Sequence, residues 1–69
     1  MSYDAILIEF RDRRTDRTVW AVVADRIVWC TPTEVTYIKC DSGVRHGSRI
    51  LPSEYVALRP CVADRPIGR

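Results

Sequence analysis

The chain has 69 residues, enough for one small domain, and its 46% hydrophobic fraction argues against disorder. Charged residues make up 29% and nearly cancel, to a net +2. That balance excludes the strong, uniform field of a dedicated phosphate binder, and no apolar run reaches the length of a membrane-spanning helix.

Tyr3–Phe10 (YDAILIEF) reads as a strand, with Ile6, Ile8 and Phe10 on one face and Leu7 on the other. Arg11–Arg17 is polar and reads as a loop. Four of the ten arginines, Arg11, Arg13, Arg14 and Arg17, fall within it. Asp12 and Asp16 each precede an arginine, so the charge of the stretch is partly self-compensated. Thr18–Ala24 is rich in valine and aromatic residues and reads as a strand, interrupted by Asp25-Arg26 and resumed by Ile27–Cys30. Residues 18–30 form either one bent strand with a bulge or a hairpin. Val19, Val22, Val23 and Ile27 also fit helical spacing, although their β-branching weighs against a helix. In a hairpin, Trp20 and Trp29 would pack together.

Thr31-Pro32-Thr33 breaks the pattern. Glu34–Cys40 alternates as a strand, and Asp41-Ser42-Gly43 is a hairpin turn in which Gly43 supplies a positive φ. A return strand begins at Val44–His46, is broken or bulged at Gly47-Ser48, and continues through Ile50-Leu51. Pro52-Ser53-Glu54 suggests a short helical turn near 52–55, and Tyr55–Leu58 a closing strand. Residues 1–59 would then be a single β domain and residues 60–69, with two prolines and a glycine, a loose tail. The expected fold is mainly β: a five- or six-stranded antiparallel, partly open small barrel.

The stretch ILPSEYVAL (50–58) resembles the closing segment of Src-homology-three domains through Pro52, Ser53, Tyr55 and Val56. YIKCDSGVRHGSRILPSEYVAL also looks like the end of Tudor-like small barrels. The first resemblance implies an SH3-like barrel with Pro52 and Tyr55 at its surface. It covers nine residues: that family's N-terminal motif, acidic loop and paired tryptophans are missing. Small barrels host many functions, so the resemblance speaks to shape alone.

Motifs for catalysis are sparse. Asp41-Ser42-Gly43 matches an aspartic-protease signature but is explained by the turn. Arg45-His46-Gly47 is similar to a phosphatase motif, which needs a second histidine, and His46 is the only one. Cys30, Cys40, Cys61 and His46 lack the close pairs of structural zinc sites, so free thiols in a reducing cytoplasm, with no metal or cofactor, are expected. Trp20, Trp29 and Tyr37 form either an aromatic binding face or core.

Taken as complete from Met1, so small a chain without catalytic machinery is expected to be a non-enzymatic binding protein. It would be a cytoplasmic monomer or homodimer that occludes or bridges a larger protein or complex with an acidic surface. A phage or mobile-element inhibitor of a host defence complex, of the anti-CRISPR type, fits that description. Arg11, Arg13, Arg14, Arg17, Arg45, Arg49 and Tyr55 are the expected partner contacts, because arginine and tyrosine dominate interface hot spots. The alternative is a small-barrel nucleic-acid binder with the same arginines on phosphates, which would weaken steeply with salt.

Overall fold

A computed structural model describes residues 2–64. They form five antiparallel strands: β1 (Ser2–Asp12), β2 (Thr18–Cys30), β3 (Glu34–Lys39), β4 (Arg45–Arg49) and β5 (Glu54–Asp64). They lie in one sheet of order β4-β3-β2-β1-β5 that coils without closing, a small partly open barrel.

The ends of β2 serve different neighbours: its first half pairs with β1 and its second half with β3. This is the bent strand, not the hairpin or the helix. Two register shifts, between Ala24 and Arg26 and between Ile27 and Trp29, make the bend. Each bulge inserts one residue and reverses which side the next residues face. Trp20, Val22 and Ala24 face inward with Phe10, Ile8 and Ile6 opposite them, and after the bulges Ile27 and Cys30 face inward with Tyr37 and Val35 opposite. Of the residues that fit helical spacing, Val22 and Ile27 lie on the inner face, whereas Val19 and Val23 alternate to the outer one.

The inner face carries the core: Ile8, Phe10, Ala24, Val35, Tyr37 and Ile50, with Ile6, Val22, Ile27 and Val56 packed against them. Trp20 stacks on Phe10 with ring centroids 4.1 Å apart and planes within 5°. It does not meet Trp29, which stands 58% exposed on the second half of β2. Tyr37 is core and stacks against His46 at 6.0 Å.

Gly47 and Ser48 continue β4 without a break, and the helical turn near 52–55 is absent. A turn closed by Glu54 N donating to the Leu51 carbonyl (2.9 Å) carries the chain to the far edge of the sheet. Glu54 already belongs to β5. Residues 60–64, expected in a loose tail, are the second half of β5 and pair with Ser2–Ile6. Proline is tolerated there because β5 is an edge strand. The remainder of that tail, 65–69, lies outside the described residues.

The direction of each backbone group follows from a few hydrogen bonds. Asp12 N donates toward β2 (Arg17 O, 2.9 Å) and Arg13 N toward β5 (Ser53 O, 2.9 Å). Neighbouring residues of β1 thus address β2 and β5 in turn, with even positions facing β2. Ile6 faces β2, so its partner Pro60 turns its ring nitrogen to the free edge of β5. By the same alternation, Lys39 N donating to Val44 O (3.0 Å) and Ile50 N to Thr33 O (2.8 Å) place even positions of β4 toward β3. Arg45, Gly47 and Arg49 turn their amides and carbonyls to the free edge of β4.

Candidate functional site

The loop between β1 and β2 is built by its own aspartates. The Asp12 carboxylate accepts from Arg14 N (2.8 Å) and Thr15 N (3.4 Å), an Asx turn, while Asp16 N donates to the Asp12 carbonyl (2.7 Å). Asp16 sits at φ +60°, the left-handed conformation that aspartate tolerates better than most residues. The bond from Arg13 N to Ser53 O fastens this loop to the 51–54 turn.

The Asp16 carboxylate turns toward Arg11 and Tyr55 on the outer face of the sheet rather than toward Arg17. It accepts from the Tyr55 hydroxyl and pairs with Arg11 Nη1 at 3.4 Å, while its carbonyl accepts from the same Nη1 at 3.3 Å. Register explains the meeting: Arg11 stands opposite both Tyr55 on β5 and Thr18 on β2. Two residues along on the same outer face lies Glu9, opposite Ala21 and Ala57. These small neighbours leave room for longer side chains to fold over it, and Glu9 is only 8% exposed. Arg11 Nη2 (3.6 Å) and Arg59 Nη1 (3.7 Å) flank its Oε1, and Thr18 Oγ1 donates to Oε2 (3.2 Å). Arg11 and Tyr55 are therefore occupied in holding the loop. Sequence reasoning did not pick out Glu9 and Arg59; the signal was a carboxylate amid ILIEF, on a strand paired on both sides.

The remaining arginines of the loop are different. Arg13, Arg14 and Arg17 are exposed, and none has a carboxylate within ion-pair distance among the described residues. The two aspartates that seemed to neutralise them are spent on backbone amides, Arg11 and Tyr55. The charge still cancels partly at long range, but at contact distance three guanidinium groups stand on a fastened loop. Arg49 is at the same end of the molecule, since Ile50 bonds to Thr33 and the following turn holds Arg13. Arg45 is not gathered with them; it lies four residues back along β4, opposite Ile38.

The opposite end carries charges of both signs, with Arg26 and Arg45 each paired to Ile38. Asp25, Asp41 and Asp64 line a cleft of about 860 Å³ with Lys39, Val23 and Val62, where the sheet fails to close. Asp4 stands beside it, opposite Val62.

Asp41-Ser42-Gly43 is the expected turn: Gly43 has φ +69° and its N donates to the Lys39 carbonyl (2.8 Å). Cys30, Cys40 and Cys61 are free thiols. Among the described residues no three metal-ligating side chains converge, and no helix is long and apolar enough to cross a membrane. Compared with protein-family models, with curated proteins and with solved structures, the chain matches none.

Proposed function

We propose that this protein is a non-enzymatic binding protein that occludes or bridges a larger protein through its arginine-bearing end, and that the partner presents an acidic surface. The observation that carries the reading is the β1–β2 loop, with Arg13, Arg14 and Arg17 exposed and unpaired on a backbone held by Asp12, Asp16 and Ser53. A loop already ordered loses less entropy on binding, so its arginines act at full effect. Arg49 joins this contact surface, while Arg11 and Tyr55 support it from beneath. The small-barrel resemblance at 50–58 is in keeping with this role, since that segment carries the turn to which the loop is tied. A phage or mobile-element inhibitor of a defence complex is one member of this class.

The test is affinity capture with the tagged protein from a lysate of the organism that carries the gene, repeated with Arg13→Ala/Arg14→Ala. The variant is expected to lose the captured protein while melting like its parent, as both side chains are exposed. Unchanged capture would refute the assignment. A mobility shift with DNA or RNA at low salt that collapses at high salt would instead favour phosphate binding by the same loop.

A further inference from the structure

We infer that the free edge of β4 is a second binding element, one that accepts an extended acidic segment of a partner protein as a sixth, antiparallel strand. The inference rests on the protein-partner reading above and names the partner's chemistry at a different place.

The two edges of the sheet are not equivalent. On β5, the outward positions are interrupted by Pro60, which has no N–H, and the Glu54 amide is already spent on Leu51. On β4, the outward amides and carbonyls of Arg45, Gly47 and Arg49 form an unbroken row with no proline. Strand addition uses such a row. Arg45 and Arg49 share the outer face and lie about 13 Å apart along the strand. Both are exposed, and neither has a carboxylate within ion-pair distance among the described residues, although Glu34 stands opposite Arg49. Gly47 lies between them, and a Cβ there would meet only Thr36 Oγ1, at 3.8 Å. The outer face over Gly47 is therefore open.

An incoming strand places its side chains on the same face as the residues opposite. The complementary segment carries carboxylates at two positions four apart, opposite Arg49 and Arg45, and a large side chain midway, covering the edge glycine. Its backbone supplies the affinity and its two charges the selectivity. Exposed ion pairs of this kind add up to about fivefold each.

The probe is a capped peptide, Ser-Glu-Thr-Phe-Thr-Glu-Ser, titrated into the isotopically labelled protein with amide resonances and hydrogen exchange recorded. The amides of Arg45, Gly47 and Arg49 are expected to shift and to gain protection. Replacing both glutamates by lysine, or N-methylating the phenylalanine amide that faces Gly47, should abolish binding. These changes are made in the peptide, so the fold of the protein is never in question. Arg45→Ala and Arg49→Ala should each weaken binding by about two- to fivefold. Absence of binding, or equal binding by the N-methylated peptide, overturns the inference. Shifts confined to Arg13–Arg17 overturn it as well, but leave the loop reading standing.

Discussion

Replacing Pro60 with valine tests the orientation of the whole β5 edge. Its ring nitrogen points away from β1, because its partner Ile6 addresses β2. Restoring an N–H there adds no bond to the native sheet, but completes a row of outward donors at 56, 58, 60, 62 and 64. Two copies can then pair antiparallel about a two-fold axis at residue 60. In that register Leu58 of one copy meets Val62 of the other on the inner face, and Arg59 avoids its own symmetry mate. Leu58 (48%) and Val62 (68%) are exposed and gain burial in this pairing. The two restored hydrogen bonds contribute about 1 kcal/mol each, so association should strengthen by about 30-fold, before relief of the clash between two proline rings. The monomer itself should change by no more than about 1 kcal/mol, since the lost rigidity of proline and the gained strand propensity oppose each other. Sedimentation equilibrium over a concentration series reads the association, and thermal melting of dilute protein reads the monomer. A variant that stays monomeric throughout and melts clearly higher than its parent would refute the reasoning, because the new N–H would then be bonded to β1.

Asp16→Ala combines a left-handed residue without a stabilising side chain and the loss of the contacts to Arg11 and Tyr55. It should cost about 2–3 kcal/mol in denaturant unfolding, and Asp16→Gly less, because glycine accepts φ +60°. Phe10→Ala removes the largest fully buried side chain and should cost about 3–5 kcal/mol. Trp20, which loses its stacking partner, should become more solvent-exposed by fluorescence quenching in whatever folded fraction survives. Deleting Asp25 excises the extra residue of the first bulge and leaves Arg26 outward and Ile27 inward, because Arg26 then follows Ala24 in regular alternation. The variant is expected to keep strand circular dichroism and a cooperative melt, and an unfolded chain would show that the bend itself, beyond the facing of the side chains, is required.

The order of strands along the chain was legible because alternation of apolar and polar residues is local. Ile6, Ile8 and Phe10, or Val35 and Tyr37, declare a face within a few residues, and Asp41-Ser42-Gly43 declares its turn. The second half of β5 was hidden for an equally local reason. Prolines and a glycine suggest a tail, and only pairing with Ser2–Ile6 shows that Pro60 occupies an edge where its missing N–H costs nothing. The same limit applied to Pro52-Ser53-Glu54, whose composition suits a helical turn but whose last residue is claimed by β1.

The candidate site divides in the same way. Sequence by itself determined that a cluster of arginines would stand on a connection between two strands, because charge and turn-forming aspartates exclude that stretch from a core. It could not determine which arginines are free. That depended on Tyr55, 39 residues from Asp16, drawing the Asp16 carboxylate away from Arg17. It depended also on two alanines flanking Glu9 and letting Arg11 and Arg59 close over it. Bulges in β2 and the free edges of β4 and β5 are likewise tertiary decisions. Each arises from which strands become neighbours, and a strand's own residues do not encode its neighbour.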